Sequence, residues 1–207
     1  MIAIIDYGMG NVRSLMNAFE YIGEDSKVTR DLDEMEEADR LVLPGVGAFG
    51  DAMAAIRANG LQEPLSRLAL EVRKPVLGVC LGMQLFARSS IEHGRHEGLG
   101  WLPADIVPLD VEPPAKVPHV GWNRLSFDAD DWLFKGIPAA QADFYFVHSF
   151  HMVCDDPVDR IATTHHGGEV TAVVRSGNLV AAQFHPEKSQ DNGLQMLQNW
   201  LAHDFAC

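Results

Sequence analysis

Apolar residues in the first half of the chain alternate between two periodicities, one typical of buried strands and the other of helices. Short apolar runs, the pattern of strands that are covered on both faces, occur at residues 2–5, 41–43 and 75–79. Apolar positions between residues 12 and 22 follow helical spacing, with Asn11 as a candidate cap and Gly23 as a stop signal. Further helical stretches are expected around residues 53–56, 65–72 and 83–87. This alternation predicts a parallel sheet with helices on both faces.

The second half of the chain is richer in strand patterns. Predicted strands cover residues 144–153, 160–164, 169–174 and 179–184, and a last amphipathic helix covers residues 191–203. We therefore predict an α/β fold in one domain, residues 1–207, with a central, mostly parallel sheet flanked by helices. The β-rich C-terminal half is expected to continue the same sheet.

Composition narrows the class of protein. The 207 residues fit one ordinary domain, and hydrophobic and charged fractions of 47% and 22% are those of a globular protein. A net charge of −13 argues against nucleic-acid binding, which needs clustered Lys and Arg. No apolar stretch is long enough for a membrane helix or a secretory signal, and three cysteines are too few for a disulfide framework. We expect a cytoplasmic protein with reduced thiols, in which Cys154 is structural and Cys207 has no role.

The strongest local signal is Gly78-Val79-Cys80-Leu81-Gly82, where a buried strand meets a helix. It is the cysteine counterpart of the nucleophile turn G-x-S-x-G. Glycines permit a tight bend that presents the Cys80 side chain at the end of the strand, and the N-terminus of the following helix favours a thiolate. The N–H of Leu81 would then face a developing oxyanion. The alternative is a buried structural cysteine beside packing glycines.

A second cluster, His185-Pro186-Glu187, follows the largely apolar residues 179–184. Pro186 biases His185 toward an extended backbone, in which residues two apart share a side. Glu187 can then orient the imidazole of His185, whose other nitrogen serves Cys80 as a base and later as a general acid. A Cys turn and a His-x-Glu pair in one chain predict nucleophilic catalysis by Cys80, His185 and Glu187.

Other motifs are open to two interpretations. Pro44-Gly45-Val46-Gly47 is either an ordinary turn after a strand or a flexible loop whose N–H groups complete an oxyanion hole. The pairs His148 with His151 and His165 with His166 have spacings that put their rings on opposite faces of a strand, so no metal site is expected. No phosphate-binding loop of the G-x-x-x-x-G-K-[ST] type occurs, and we expect no cofactor.

These motifs resemble those of a known family. GVCLGMQ at residues 78–84, PGVG before it and HPEKS around Glu187 are similar to the class I glutamine amidotransferases, which are enzymes with a Cys-His-Glu triad. DYGMGN at residues 6–11, PHVGWN at 118–123 and YFVHS at 145–149 are similar to the branch of that family that serves histidine biosynthesis. The resemblance spans essentially the whole chain.

The resemblance implies a role for each motif residue. Cys80 would attack the carboxamide of L-glutamine, with His185 as proton donor and Glu187 as its orienting partner. Oxyanion donors would be Leu81 together with Val46 or Gly47, and the glutamine would be bound by Gln84, Glu92, Ser149 and Phe150. Many relatives carry tyrosine at the position of Phe150.

The resemblance also implies a partner protein. A (β/α)₈-barrel cyclase would form a heterodimer with this chain and convert the ammonia into imidazole glycerol phosphate and aminoimidazole carboxamide ribotide. Asn11, Trp122 and Lys188 are the expected interface residues. Independently of the family, the glutaminase motifs fill the chain from Pro44 to Glu187, which leaves no region to bind an ammonia acceptor.

Two further functions compete with this one. The chain could be the glutaminase of another pathway or a γ-glutamyl peptidase, since either would use the same triad. A non-hydrolytic thiol sensor could also place Cys80 on a strained turn, although it would not require His185-Pro186-Glu187.

Overall fold

The computed structural model describes residues 1–205, so the expectation for Cys207 lies outside the described residues. Nine strands form one large sheet in the spatial order β2-β1-β3-β4-β13-β12-β11-β8-β9. Their bounds are β1 Ile2–Ile5, β2 Ser26–Thr29, β3 Arg40–Leu43, β4 Val76–Val79, β8 His119–Phe127, β9 Asp143–His148, β11 Arg160–His165, β12 Glu169–Ser176 and β13 Leu179–Ala182. The remaining strands, β5 Ser89–Ser90, β6 His96–Glu97, β7 Ala104–Pro108 and β10 Phe150–Cys154, form a second sheet in the order β10-β7-β5-β6.

The large sheet changes character halfway across. Strands β2, β1, β3, β4 and β13 run parallel, and every residue of β1, β4 and β13 is buried, as the apolar runs predict. From β13 onward each pair is antiparallel, and β8 and β9 alternate buried and more exposed positions. The α/β fold and the β-rich second half are confirmed, and the sheet is mixed.

In the part of the chain that the structure describes, six α-helices accompany the sheets. Their bounds are α1 Val12–Tyr21, α2 Leu32–Glu37, α3 Phe49–Ala58, α4 Gln62–Ser66, α5 Leu81–Leu85 and α6 Gln190–Ala202. Apolar side chains pack on both faces of the large sheet, with α3, α4 and α5 on one face and α1 and α6 on the other. Among residues 1–205, no helix combines the length and the apolar character that crossing a membrane requires.

Several sequence expectations were wrong. Residues 144–153 are not one strand but two, β9 in the large sheet and β10 in the small one, so the second half does not simply continue one sheet. Asn11 occupies the cap position of α1, but its side chain makes no capping hydrogen bond. The helical stretch expected around residues 65–72 is present, but α4 passes there into a π-helical turn at Arg67–Glu71. The elements β2 and α2 were not predicted. In β2 only the last of four residues is buried, and α2 is mostly acidic with Met35 as its buried residue, so neither shows a clear apolar pattern.

Candidate active site

Cys80 lies on a strained turn between β4 and α5. Its backbone has a φ of 55°, a region that side-chain-bearing residues rarely occupy, and its N–H donates to the carbonyl of Ala182 at 2.8 Å. A Cβ added to Gly82 would lie 1.8 Å from the Leu43 oxygen, and one added to Gly78 would lie 2.9 Å from the Cβ of Ala181. The two glycines of the motif therefore let α5 pack closely against the end of β3 and let β4 pack closely against β13, on either side of the Cys80 turn.

The Cys80 sulfur lies in a largely buried position, 7% exposed. Its Sγ is 4.0 Å from the carbonyl oxygen of Val147 and 3.9 Å from Nε2 of Gln183. Sequence reasoning missed Gln183, although it is the one polar side chain in the apolar residues 179–184. A fully buried polar side chain in such a run needs hydrogen-bonding partners, and those of Gln183 are the side chain of Gln84 and the sulfur of Cys80.

His185 and Glu187 meet directly, with His185 Nδ1 2.9 Å from Oε1 of Glu187. His185 has the extended backbone that was predicted, but the chain does not stay extended as far as Glu187, because Pro186–Lys188 forms a 3₁₀ turn that brings the two side chains together. Ser189 fixes this turn, since its hydroxyl donates to the His185 carbonyl at 2.6 Å and accepts from the N–H of Tyr145 at 3.0 Å. Ser189 was another residue that the sequence interpretation missed; its signal was its place in the HPEKS motif.

The electrostatics of this pair favour a protonated imidazole. Burial lowers the pKa of His185, but its hydrogen bonds with Cys80 and Glu187 and their negative charges outweigh burial and raise the pKa to about 9. The Glu187 side chain is 1% exposed, and its Oε2 is buried with no hydrogen-bond partner among residues 1–205. The charge of this carboxylate is therefore compensated through His185.

The PGVG segment lies against the cysteine turn. Tyr7 donates its hydroxyl to the Pro44 carbonyl at 2.8 Å, and a Cβ added to Gly45 would lie 2.7 Å from the amide nitrogen of Gly82. After Gly45 the segment reaches the surface: Val46 is 41% exposed, and Gly47 has a φ of 98°. In the described part of the chain, the N–H groups of Val46, Gly47 and Leu81 donate no hydrogen bond. The segment thus presents free donors beside the thiol.

One cavity of about 380 Å³ gathers the residues that the sequence singles out. Its lining includes Cys80, His185, Val46, Gly47, Leu81, Gln84, Glu92, Ser149 and Phe150. Glu187 lies behind His185, in a narrow cleft that also contacts Asn11, Pro44 and Val46. The predicted catalytic, oxyanion and substrate-binding residues are therefore adjacent, although their roles stay predictions.

The two polar side chains expected to bind substrate are held in defined orientations. Gln84 donates from Nε2 to the Phe150 carbonyl at 3.0 Å and to Oε1 of Gln183 at 2.9 Å, so both its N–H hydrogens are engaged. Its Oε1 is the group left for a ligand. Glu92 accepts from the N–H of Phe49, at the start of α3, at 2.7 Å, which leaves its other carboxylate oxygen available.

The three expected interface residues lie at the surface around this site. Trp122 is 49% exposed on β8, where its ring packs edge-on against Tyr145. Lys188 is exposed on the 3₁₀ turn, one residue after Glu187, and Asn11 is partly exposed at the start of α1. Their common role is untested and stays a prediction.

The histidine pairs that were considered as metal ligands, and Cys154, are the other residues that the sequence singled out. Residues 1–205 contain no group of three or more His, Cys, Asp or Glu side chains that could hold a metal ion. Cys154 is half-buried at the end of β10, where burial raises the pKa of its thiol to about 11. A thiol of this kind is a poor nucleophile at neutral pH.

Known proteins resemble this chain along nearly its whole length. The family model of the class I glutamine amidotransferases matches residues 3–203. The imidazole glycerol phosphate synthase subunit HisH of Sulfurimonas denitrificans is 48% identical over 98% of each chain, and that of Rhodospirillum rubrum is 44% identical over 97% of each.

Solved structures agree at the level of the fold. The structure of PurLQS from Thermotoga maritima superposes with a TM-score of 0.73 at 21% identity, covering 97% of this chain and 96% of that one. At this identity the likeness concerns the fold alone. The family model and the sequence relatives show that the chain belongs to the class I glutamine amidotransferase family and, within it, to the HisH family of imidazole glycerol phosphate synthase subunits.

Proposed function

We propose that this chain is the glutaminase subunit of an imidazole glycerol phosphate synthase and acts in histidine biosynthesis. It hydrolyses L-glutamine to glutamate and ammonia. The observation that carries the proposal is the position of His185, which is hydrogen-bonded to Glu187 and shares a cavity with Cys80 and the free amide of Leu81. A sheet-borne thiol, a buried base and open N–H donors in one cavity are what acyl transfer from an amide requires.

Catalysis proceeds in two halves. The thiolate of Cys80 adds to the glutamine carboxamide carbon, and the protonated His185 gives its proton to the departing amide nitrogen, so that ammonia leaves and a γ-glutamyl thioester remains. Neutral His185 then takes a proton from water, whose oxygen attacks the thioester and releases glutamate and the thiol. Glu187 holds the ring and stabilises its charge throughout. The pKa of His185, near 9, keeps the proton available at neutral pH.

The tetrahedral intermediates carry an oxyanion that needs donors. The N–H of Leu81 is one, and the N–H of Val46 or Gly47 is the second. Gln84, Glu92, Ser149 and Phe150 bind the glutamine itself. Because Gln84 has both amide hydrogens engaged, its Oε1 accepts from the substrate's ammonium group, while Glu92 supplies a negative charge to the same group.

The ammonia passes to a separate cyclase. We infer a (β/α)₈-barrel subunit that forms a heterodimer through Asn11, Trp122 and Lys188 and makes imidazole glycerol phosphate and aminoimidazole carboxamide ribotide. Lys188 is next to Glu187 in the chain, and Asn11 lines the same narrow cleft as Glu187. Binding of the cyclase at these two residues would therefore affect the position of Glu187. The single-domain organisation and the cytoplasmic location stay predictions.

Substrate competition tests the chemistry. Glutamate release, the product common to both substrates, is measured with free glutamine and with γ-glutamyl dipeptides in the presence of the cyclase, and ammonia is measured in parallel for glutamine. A glutamine-mimicking diazo ketone is used to label the nucleophile. We expect turnover of glutamine, little turnover of the peptides, and a mass adduct on Cys80. Preference for the peptides would indicate a γ-glutamyl peptidase, while peroxide oxidation of Cys80 without ammonia release would indicate a thiol sensor.

Surface variants test the partner. Trp122→Ala and Lys188→Ala should weaken the stimulation of glutamine hydrolysis by the cyclase, because they remove contact area and a charge from the proposed interface. Val158→Ala and Lys135→Ala are matched controls, since both residues are exposed on other parts of the molecule. Full glutaminase activity of the isolated chain, unchanged by the cyclase, would contradict the proposal.

A further inference from the structure

A continuous path of hydrogen bonds leads from strand β8 to the floor of the active-site cavity. Asn123 Nδ2 lies 3.2 Å from Nε2 of His119, His119 Nδ1 lies 2.9 Å from Nε2 of His148, and His148 Nδ1 lies 2.8 Å from the Phe150 carbonyl oxygen. Both imidazoles are buried, at 3% and 6% exposure. Neither His119 nor Asn123 lines the cavity, so the proposed reaction makes no direct use of them.

The groups at the two ends of this path, the Phe150 carbonyl and the Asn123 side-chain amide, determine which atom donates in each hydrogen bond. A carbonyl oxygen only accepts, so His148 Nδ1 carries its hydrogen, and the neutral ring presents a lone pair at Nε2. His119 must then donate from Nδ1 and accept at Nε2. Asn123 meets that requirement independently, because its Nδ2 also donates to the His165 carbonyl at 2.9 Å and its Oδ1 accepts from the N–H of Arg124 at 2.9 Å.

The surroundings keep both rings neutral. Burial, the largest influence, lowers the pKa of His119 to about 3 and that of His148 to about 4, and neighbouring histidines act in the same direction. His119 is stacked between Phe146, at a centroid distance of 4.7 Å, and His166, at 4.0 Å. A proton on either ring would place two donors against each other and break the path.

The path continues beyond Phe150. Its carbonyl oxygen also accepts from Gln84, whose second amide hydrogen goes to Gln183, and Gln183 Nε2 lies 3.9 Å from the Cys80 sulfur. Phe150 follows the residue at which the chain passes from β9 to β10, that is, from one sheet to the other. His148 therefore fixes the carbonyl that orients Gln84.

We propose that His119, held by Asn123, is a positioning residue for glutamine binding, acting through His148 on the Phe150 carbonyl and Gln84. The proposal rests on the proposed glutaminase function. Without the donor from His119, the Nε2 lone pair of His148 is left unsatisfied in a buried site, and the turn that carries Ser149 and Phe150 loses its fixed geometry. The substrate pocket should then bind glutamine less well while the chemistry of Cys80 is retained.

Two substitutions at one position separate hydrogen bonding from packing. His119→Phe keeps an aromatic ring between Phe146 and His166 but removes the donor, whereas His119→Asn removes the ring but keeps an N–H near Nδ1. We expect KM for glutamine to rise about tenfold in His119→Phe, with kcat changed less than about threefold, and to recover largely in His119→Asn. The reverse order, with Phe silent and Asn damaging, would mean that the residue only packs and would overturn the proposal.

The control is His166→Phe, which keeps the stack on His119 and leaves the path intact, so its KM should match that of the parent. A second readout is independent of turnover: long-range ¹H–¹⁵N spectra of the full chain should show His119 and His148 as neutral tautomers protonated at Nδ1. A proton on Nε2 of either ring would overturn the proposal even where glutamine is hydrolysed. Absence of glutaminase activity in the parent with its cyclase, with these tautomers present, would refute the proposed function instead.

Discussion

The two sides of the active-site cavity are built differently. Cys80, His185 and Glu187 lie at the ends of neighbouring strands, and each is held by buried contacts to the sheet. On the side formed by Val46 and Gly47, the chain is held at Pro44, which accepts from Tyr7, and at Gly45, which packs against Gly82. The N–H groups of Val46 and Gly47 donate no hydrogen bond within residues 1–205. The comparison indicates that the fold holds Cys80, His185 and Glu187 in place, whereas no hydrogen bond fixes the N–H groups of Val46 and Gly47. We predict that these N–H groups belong to a segment that can turn and that supplies the oxyanion donors.

Removing the predicted nucleophile should have the largest effect, because without the Cys80 thiol no covalent intermediate can form. Cys80→Ala should lower ammonia release by at least about 10⁴-fold. The fold should persist, which a thermal melt can check, since only a sulfur atom at a turn is lost. Cys154→Ala is the matched control and should keep turnover within a few-fold of the parent; a comparable loss there would contradict the assignment of Cys80.

Weakening the base should cost less. Glu187→Gln should reduce turnover by about a thousandfold, because the amide no longer stabilises the charged imidazole of His185. Since the triad acts as a unit, adding this change to His185→Ala should lower the rate little further. Initial rates of the two single variants and the double variant decide the matter, and a full additional loss in the double variant would mean that Glu187 acts independently.

The side formed by Val46 and Gly47, whose mobility is a prediction, can be probed at Gly47. Gly47→Ala places a Cβ on a φ of 98° and within 2.9 Å of the Met9 methyl, so the peptide planes around it must shift. We expect turnover to fall by about 10- to 100-fold through a misplaced oxyanion donor. Labelling of Cys80 by a neutral alkylating agent should be unaffected. Gly60→Ala, also at a positive φ but with open space around it, should lower only thermal stability.

The smallest expected effect is on the stability of the folded protein, which should depend on pH through its buried histidines. The pKa of His185 is about 9 when folded and ~6.5 when unfolded, so its stabilising contribution is complete below pH ~6.5 and is lost as the pH rises through about 9. His119 and His148 have folded pKa values of about 3 and about 4, so their contribution is lost as the pH falls from ~6.5 toward those values. Melting curves of His185→Gln should decline less than the parent's between pH 6.5 and 9. An unchanged alkaline slope would show that His185 is not charged in the folded protein.

The sequence predicted more of the side that holds Cys80 and His185 than of the segments around it. Buried strands read as apolar runs, and the cysteine turn and the His-x-Glu cluster are local patterns, so β4, Cys80 and His185 were located correctly. The boundary at Ser149 was missed because the chain is extended on both sides of it and aromatic and β-branched residues, which are typical of strands, occur on both sides. Nothing in that pattern indicates that the chain changes sheets. The 3₁₀ turn at Pro186–Lys188 was missed for a similar reason, since a proline is compatible with both an extended chain and a turn.

By itself, then, the sequence determined the α/β alternation and singled out Cys80 and His185 as candidates for nucleophile and base, because each depends on periodicity or on residues close together in the chain. Tertiary structure alone decided which distant polar groups meet. The bond of Gln84 to Gln183 joins residues 99 positions apart, and that of His119 to His148 joins residues 29 apart. Such pairs leave no local signature, since their hydrogen-bonding direction is set by whichever donors and acceptors the packed sheets bring within about 3 Å.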